Sequence, residues 1–237
     1  MKTMKTRIIS IKETDSTNRK IKEQAVDEDA MTVLVAERQT AGKGCGTNSW
    51  ESEPHKNLTF SIRYCPEDVE ARRQFVISMQ ISVAIHRAMM DFGVPTTIKW
   101  PNDIYWNDKK LAGILIENQL QGSHIRDSII GIGLNVNQRT FLSDAPNPVS
   151  MSQILSRHLQ LNEILQRIIF HFQNAEKDIA AVYRSLLYRK TGMHEYSDSK
   201  GNFIAEIVGV ADDGLLSLRD SRGVVRKYAF KEVAFII

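Results

Sequence analysis

Two lysines and a polar turn that could hold an anion stand close together in the stretch from Lys99 to Glu117, which reads KWPNDIYWNDKKLAGILIE. Asn102 and Asp103 follow a proline and supply turn chemistry. The second lysine, Lys110, lies three residues before Gly113, where the missing side chain lets another group approach closely. A surface turn whose lysines are simply solvated gives the same pattern, so both interpretations stay open at this point.

A second candidate for anion binding is the segment from Glu37 to Trp50, ERQTAGKGCGTNSW. Gly42, Gly44 and Gly46 lie two residues apart in it. Backbone N–H groups of such a loop can converge on an anion, and Lys43 adds positive charge. The spacing matches neither the Walker A pattern GxxxxGK[ST] nor the GxGxxG dinucleotide fingerprint. A surface loop without a ligand is the alternative interpretation.

A run of small polar residues, Ser16-Thr17-Asn18, opens a predicted helix that continues to Ala25. Each of these side chains can cap the free backbone N–H groups of the first turn. Three neutral hydrogen-bonding groups beside a helix N-terminus also suit an uncharged polar ligand. The sequence favours neither interpretation over the other.

Composition excludes several function classes. The 237 residues include 31 Lys and Arg against 28 Asp and Glu, a net charge of +3, with no basic block that would indicate nucleic-acid binding. No apolar run is long enough for a signal peptide or a membrane span. Cys45 and Cys65 form no CxxC motif, and the six histidines form no HxxxH pair. We therefore expect a cytoplasmic protein that binds neither nucleic acid nor membrane and has no cysteine zinc site.

Short β-rich runs in the first part of the chain predict a sheet that positions these residues. The second and third runs are expected to pair, and the fourth and fifth to form a hairpin. The last run contains Gly131 and Gly133, which allow close passage of a ligand or a strand, and Asn135 points to whatever lies there; a β-bulge is the alternative. The runs are Arg7 to Ile11, Thr32 to Ala36, Asn57 to Tyr64, Ile104 to Trp106, Leu111 to Ile116 and Asp127 to Asn137.

Helices and a second domain complete the prediction. The periodicity predicts a core helix from Ala71 to Phe92, a helix opened by a Ser150–Gln153 capping box, and a long helix from Asn162 to about Tyr188. Residues 1–190 then form the main domain and residues 191–237 a small β-barrel. Its predicted strands, separated by hairpin turns, are Phe203 to Val210, Leu215 to Arg219, Val224 to Phe230 and Val233 to Ile237.

Read in order, the STN helix start, the glycine loop, KWPND, KLAG and GIGLNVN resemble the biotin protein ligase (BirA) family, the biotin–[acetyl-CoA-carboxylase] ligases. The likeness covers nearly the whole chain, and KWPND followed by KLAGI is its most specific part. It implies an α+β fold: a mixed β-sheet catalytic domain similar to class II aminoacyl-tRNA synthetases, with a small SH3-like C-terminal β-barrel. Because the resemblance begins almost at Met1, the ligase-only type without a DNA-binding domain is expected.

The chemistry implied by the resemblance has two steps. The biotin carboxylate attacks the α-phosphate of ATP to form biotinyl-adenylate, and a lysine of a biotin carboxyl carrier protein then displaces AMP. Carboxylate and triphosphate repel each other, so the site needs cations and converging N–H groups, and Mg²⁺ neutralises the pyrophosphate. Biotin, ATP, Mg²⁺ and the carrier domain are the ligands and partner expected, and a homodimer is left open.

Position by position, the resemblance also implies residue roles. Lys110 would stabilise transition-state charge as the catalytic residue, and Asp103 would either bind Mg²⁺ through ATP or help to deprotonate the acceptor lysine. The implied biotin-binding residues are Ser16, Thr17, Asn18, Gln39, Lys43, Gly44, Cys45, Lys110 and Gly113. The implied ATP- or adenylate-binding residues are Lys43, Asn48, Trp50, Asn102, Asp103 and Asn135.

The glycine loop departs from the family patterns GRGRxGR and GKGQRGN, since residues 42–48 read GKGCGTN. Lys43 keeps one charge but lacks the planar fork of arginine. We expect the loop to close less firmly over the adenylate. Two other functions were weighed: a lipoate or octanoate ligase or transferase, disfavoured by the glycine loop and contiguous KWPND, and a non-enzymatic binding module, disfavoured by Lys110, Asn102 and Asp103.

Overall fold

Seven strands form one mixed sheet in the computed structural model, which describes residues 4–44, 46, 48–143 and 147–237. The strands are β1 Lys5–Thr14, β2 Ala30–Gln39, β3 Leu58–Tyr64, β4 Thr97–Lys99, β5 Asp103–Trp106, β6 Lys109–Gln121 and β7 His124–Leu134. Their order is β1-β2-β3-β7-β6-β5-β4, with β1 and β2 parallel and the other neighbours antiparallel. The predicted pairing of the second and third runs and the predicted hairpin are both confirmed. Asn107 makes the hairpin turn with a φ of 49°, a conformation that asparagine tolerates.

The two faces of the central strands differ in character. On one face, Phe60 and Ile62 of β3 align with Ile132 and Ile130 of β7, and all four are buried in the main hydrophobic core. On the other face the register pairs Thr59 with Gly133 and Ser61 with Gly131. Because side chains alternate along a strand, this second face combines small and polar residues over several neighbouring positions. That face carries the candidate site.

Most of the helices pack on the apolar face, whereas the first packs through Ile21 against Leu34 and Ile129 on the other face. Helix α1 is Thr17–Ile21, α2 Phe75–Asp91, α3 Met151–Leu155, α4 Leu161–Gln173 and α5 Ile179–Ser185, and a 3-10 turn at Ala71–Arg73 precedes α2. The predicted Ser150–Gln153 capping box is present. The prediction of one helix from Asn162 to Tyr188 was wrong: the chain leaves α4 at Asn174, and Asp178 then caps α5 by accepting a hydrogen bond from the Ala181 N–H. No helix of the described part is long and apolar enough to cross a membrane.

The C-terminal region forms a separate five-stranded antiparallel sheet. Its strands are β8 His194–Asp198, β9 Gly201–Val210, β10 Leu216–Asp220, β11 Val225–Tyr228 and β12 Val233–Phe235, in the order β11-β10-β9-β8-β12. Strand β8 was missed by the sequence reasoning because its sequence, HEYSD, shows no apolar alternation. The likeness of this sheet to an SH3 barrel and the domain boundary after residue 190 stay predictions.

The KWPND segment joins the two sheets. The indole of Trp100 is 4% exposed and donates a hydrogen bond of 2.9 Å to the carbonyl of Gly214, in the C-terminal region. The following peptide bond to Pro101 is cis, and the Pro101 carbonyl accepts a 2.8 Å hydrogen bond from the hydroxyl of Tyr183. Arg184 donates to the carbonyl of Val210 at 2.7 Å. The bonds to Gly214 and Val210 hold the C-terminal sheet against the main domain, while the Tyr183 bond fixes the KWPND segment to α5.

Removing one partner of a buried ion pair should destabilise the fold strongly, because the other charge stays buried. Arg63 of β3 and Asp127 of β7 lie 2.8 Å apart and are 7% and 0% exposed. Asp127→Ala leaves the Arg63 charge buried without this partner, so we expect it to lower the free energy of unfolding by about 3–5 kcal/mol in denaturant titrations. Glu13→Ala removes a pair whose side chains are 53% and 56% exposed, and should cost no more than about 1 kcal/mol. Equal losses in the two variants would contradict this assignment.

Candidate functional site

Three glycines on adjacent strands form a flat surface, the glycine floor, made of Gly113, Gly131 and Gly133. Gly113 and Gly133 are register partners across β6 and β7. A Cβ at Gly133 would overlap the indole ring of Trp50, and one at Gly131 would overlap the amide of Asn18. The predicted close passage over these glycines is therefore made by the side chains of Trp50 and Asn18. The β3–β7 register runs continuously through Gly131 and Gly133, so the β-bulge alternative is wrong.

A cavity of about 900 Å³ lies over the glycine floor. It brings together most of the predicted site residues, which come from separate parts of the chain. Those lining it are Ser16, Thr17, Asn18, Gln39, Lys43, Gly44, Asn48, Trp50, Asn102, Asp103, Lys110 and Gly113. Asn135 lines a smaller adjoining cavity of about 40 Å³ together with Trp50 and Lys110. Cys45, also predicted, lies outside the described residues.

The polar helix start forms a hydrogen-bonded network instead of a simple cap. Ser16 occupies the N-cap position, but no cap hydrogen bond from its side chain is found in the described structure. The backbone N–H of Thr17 donates to Oε1 of Gln39 at 2.9 Å, and the Thr17 hydroxyl lies 3.2 Å from the same atom. Asn18 donates from Nδ2 to Oε2 of Glu117 at 2.8 Å. Helix capping alone therefore does not account for these residues.

Two members of this network were not predicted. Ser61 Oγ lies 2.6 Å from Oδ1 of Asn18, and Glu117 holds the other end of the same amide. Burial raises the pKa of Glu117, but hydrogen bonds from Lys22 and Asn18 outweigh this effect and keep the pKa below its usual value. An ionised Glu117 accepts from the Asn18 NH₂ group, so the orientation of that amide is fixed from both sides. The signal available in the sequence was the two-residue alternation that puts Gly113 and Glu117 on one face of β6.

Lys110 projects from β6 into the cavity and is paired with Asp103. Its Nζ lies 2.8 Å from Oδ1 of Asp103 and 5.9 Å from the centroid of the Trp50 ring. The backbone of Lys110 is fixed by hydrogen bonds with Asn147 and Val149. Asp103 is placed by the turn of KWPND, where Asn102 donates from Nδ2 to the carbonyl of Ile114 at 2.8 Å. The interpretation of Lys110 as a solvated surface lysine is therefore wrong.

The main cavity is positively charged. Among the described residues that line it, four lysines and one aspartate give a formal charge of +3; they are Lys43, Lys99, Lys110, Lys231 and Asp103. The ammonium of Lys99 lies 5.4 Å from the ring centroid of Tyr105 and 4.9 Å from that of Phe235. Burial lowers the pKa of Lys99; Asp103 opposes this, while Lys110 and Arg189 lower the pKa further. Such a surface attracts anions and concentrates them at the site.

The C-terminal sheet contributes part of the cavity wall, which sequence reasoning missed entirely. The contributing residues are Phe230, Lys231, Val233, Ala234 and Phe235. Nothing in their local sequence marks them as site residues, because their position depends on how the two sheets dock. Within the described ranges, no group of three or more His, Cys, Asp or Glu side chains could hold a metal ion.

Comparison with known proteins gives consistent matches. A profile of the Biotin/lipoate A/B protein ligase family matches residues 9–135, more than half of the 237 residues. The chain is 29% identical over 212 residues to the bifunctional ligase/repressor BirA of Bacillus subtilis, covering 84% of this chain and 64% of that one. It is 30% identical over 164 residues to the biotin–[acetyl-CoA-carboxylase] ligase of Mycobacterium tuberculosis, covering 65% and 59%. The chain thus spans less than two thirds of the length of these curated relatives.

A solved structure extends the comparison to the whole fold. The biotin protein ligase of Aquifex aeolicus in complex with biotin and ATP superposes with a TM-score of 0.78 at 25% identity, covering 96% of this chain and 97% of that one. The superposition confirms the α+β fold that the sequence resemblance implies. It includes the C-terminal sheet as well as the main sheet, since nearly all of both chains is covered.

The glycine floor can be tested by adding single methyl groups. Gly133→Ala should force Trp50 away from β7 and lower the free energy of unfolding by about 1–3 kcal/mol, with a change in tryptophan fluorescence. In a Trp50→Ala background the same substitution should be nearly neutral, because the group that it strikes is gone. Gly209→Ala, where nothing lies within 4 Å of an added Cβ, is the control. An equal cost of Gly133→Ala in both backgrounds would contradict the contact.

The lowered pKa of Lys99 has a consequence for stability. The unfolded chain binds this proton with the ordinary pKa of about 10.4, whereas the folded chain binds it less well, so the charged lysine costs stability at neutral pH. Lys99→Met should therefore raise the free energy of unfolding at pH 7, and the gain should shrink as the pH rises toward about 10.4. The exposed Lys227 on β11 gives the control variant Lys227→Met, which should change little. Loss of stability in Lys99→Met at pH 7 would contradict the direction of the shift.

Proposed function

Since the chain belongs to the biotin/lipoate A/B protein ligase family, we propose that it is an ATP-dependent biotin protein ligase. It activates biotin to biotinyl-5′-AMP and then transfers the biotinyl group to a lysine of a biotin carboxyl carrier protein. The observation that carries the proposal is the Lys110–Asp103 pair, held at 2.8 Å in a cationic cavity beside a polar network whose cavity-lining members are uncharged. Its volume of about 900 Å³ lies in the range of sites that hold a drug-sized ligand. The Aquifex aeolicus ligase with the same fold is a complex with biotin and ATP.

The polar network supports biotin as the acid. The ureido ring of biotin is uncharged and offers one carbonyl acceptor and two N–H donors. Thr17, Asn18 and Gln39 are neutral hydrogen-bonding residues, and each is held by a neighbour within the network. Held groups lose little further conformational entropy when the ligand binds.

The same network argues against lipoate. The dithiolane ring of lipoate carries no hydrogen-bonding groups that could replace those of the ureido ring. A site built to hydrogen-bond its ligand rejects an analogue that leaves its buried polar groups unpaired, by factors of about 10⁴ or more. Ser16, Thr17 and Asn18 are all buried and line the cavity, so such a loss would apply to those of their polar positions that the network leaves without a partner.

The cationic part of the cavity supports the adenylation step. In this step a carboxylate oxygen of biotin forms a bond to the α-phosphorus of ATP, and the bond to the pyrophosphate oxygen breaks. Negative charge accumulates around the α-phosphate, and the ammonium of Lys110 is the group we assign to stabilise it. The ion pair with Asp103 holds that ammonium in position before the substrates bind. In the second step the amine of the carrier lysine attacks the acyl carbon, loses a proton and releases AMP.

Mg²⁺ fits this site as an ion carried by the nucleotide. Asp103 is the only acidic side chain among the described residues that line the main cavity. Mg²⁺ is commonly held by one or two carboxylates together with substrate phosphates, so a single aspartate is compatible with it. When bound, the ion neutralises the pyrophosphate leaving group. The roles of Asp103 as a Mg²⁺ ligand or as the group that activates the carrier lysine both remain open in this proposal.

Two unpaired polar atoms support an adenine position beside Trp50. Within the described structure, Nε1 of Trp50 and Oδ1 of Asn135 are buried without a hydrogen-bond partner. Both residues line the smaller cavity of about 40 Å³, which has room for a few water molecules. Adenine offers a ring-nitrogen acceptor and an exocyclic amine donor that complement these two atoms. A purine would need this cavity to widen, which a movement of the Trp50 ring would allow.

The remaining parts of the proposal concern partners and location. The carrier domain is proposed as the macromolecular substrate, and the ATP requirement fits a location in the cytoplasm. Self-association as a homodimer is left open. Nothing in the site calls for nucleic acid, since the cations that line it face a cavity and not an extended groove.

The decisive experiment combines biotin, ATP, Mg²⁺ and a biotin carboxyl carrier domain with the purified protein. We expect mass spectrometry to detect one added biotinyl group on the carrier, and biotin-dependent exchange of pyrophosphate into ATP without it. Lys110→Ala should lower that exchange by about 100-fold or more without changing thermal unfolding. The exposed neighbour gives the control variant Lys109→Ala, which should remain near the parent rate.

The outcomes separate the alternatives. Pyrophosphate exchange that depends on lipoate and not on biotin would show that our proposal names the wrong acid substrate. Absence of both exchange and labelling in the parent protein would contradict an enzymatic function. Equal losses in Lys110→Ala and Lys109→Ala would remove the distinction between the paired lysine and its solvated neighbour.

A further inference from the structure

Lys231 extends from the C-terminal sheet to the mouth of the main cavity. It lies between β11 and β12 in a turn that is closed by hydrogen bonds between Ala229 and Glu232. Its backbone has a φ of 72°, in the left-handed region that favours glycine. A residue with a side chain at such a position typically costs about 1 kcal/mol or more, and its presence there calls for a reason.

The side chain of Lys231 meets the glycine loop. A Cβ at Gly46 would collide with the Nζ atom of Lys231, so the ammonium occupies the space where a side chain at position 46 would lie. Gly46 itself has a φ of 72°. The glycine in the loop and the lysine in the turn therefore fit each other: one provides the space and the other fills it with a positive charge.

No residue in the described part of the chain neutralises this charge. Among the described residues, Lys231 has no carboxylate partner, and its ammonium lies 5.9 Å from the centroid of the Phe230 ring. Lys110, in contrast, is paired with Asp103. The side chain is exposed, so its charge stays hydrated and available to an incoming ligand. An exposed, unpaired cation beside three other lysines indicates a binding position for a polyanion.

We propose that Lys231 binds the triphosphate of the nucleotide and supplies, from the C-terminal sheet, positive charge that the glycine loop lacks. This inference rests on the proposed function, because it takes ATP as the anion. Two observations favour the triphosphate over the biotin carboxylate. The contact partner of Lys231 is the glycine loop, whose composition suits an anion, whereas the neutral network of Thr17, Asn18 and Gln39 lies around the helix start. A carboxylate carries a single charge that Lys110 can neutralise alone, while ATP carries several.

The residue can be replaced without straining the fold. Lys231→Gly puts the residue that favours a positive φ at this position, so thermal stability should be retained or slightly improved. In biotin-dependent pyrophosphate exchange, the KM for ATP should rise about tenfold, as expected for the loss of one charge-assisted contact, with the KM for biotin unchanged. Lys231→Arg should keep the parent KM for ATP. The dependence of the KM for ATP on salt concentration should also be weaker in Lys231→Gly.

Lys227→Ala is the matched control, since Lys227 is an exposed lysine of the same sheet that does not line the cavity. An unchanged KM for ATP in Lys231→Gly, an equal rise in Lys227→Ala, or a rise confined to the KM for biotin would each overturn the inference. Equilibrium dialysis of ATP without biotin separates this inference from the proposed function. If the parent protein shows no exchange but binds ATP, and Lys231→Gly binds it about tenfold more weakly, the proposed function fails while the phosphate contact stands.

Discussion

The close approach of side chains to the backbone of β6 and β7 is the constraint on which the site depends. Trp50 lies over Gly113 and Gly133, and Asn18 lies over Gly131. Any side chain at these three positions would hold the helix start and the glycine loop away from the sheet. The opposite face of the same strands is bound by isoleucines into the core. The strands are therefore packed into the core on one face and carry glycines on the other. The floor of the cavity is thus formed by strands and not by a loop.

Positive charge in the cavity is the second feature on which the site depends. The described residues leave most of this charge without an ion-pair partner, at a cost in folding free energy. Of the lysines lining the cavity, Lys110 is the one that forms an ion pair within the described structure. Lys99 is held against aromatic rings, where burial lowers its pKa, so the folded state disfavours its protonated form. The free-energy cost of holding this charged lysine is offset by the large apolar core elsewhere in the protein. Binding of an anion near Lys99 would reduce that cost. Sites of this kind are where local rules of stability are expected to give way to function.

The sequence predicted those features that depend on neighbouring residues. The hairpin over Asn107 and the Ser150 capping box require only a few adjacent side chains, and both are present. The break between α4 and α5 was missed because apolar periodicity continues through it, whereas the helix ends are set by Asn174 and Asp178.

The site was predictable to the same extent. Most of its polar residues could be identified because a resemblance in motif order connected segments that are distant in the chain. Ser61 and Glu117 were missed because alternation along one strand gives only the face on which each lies, whereas their meeting with Asn18 depends on the register of β3, β7 and β6. Lys231 and Phe235 were missed for a stronger reason: they reach the cavity only because Trp100 and Arg184 hold the second sheet in place.

The docking of the second sheet bears on the glycine loop, since residues 42–48 contain no arginine and a lysine of the C-terminal region lies beside them. A cation carried by a loop moves with it and becomes ordered only when the loop closes, which costs conformational entropy at the moment of binding. A cation on a folded sheet is already positioned, and only its side chain must be ordered. Lys43 belongs to the glycine loop, whereas Lys231 lies in a turn between two strands of the C-terminal sheet, so the proposed phosphate contact of Lys231 would not depend on the loop. The nucleotide site proposed above would then depend on the Trp100–Gly214 contact between the two sheets as much as on the loop itself.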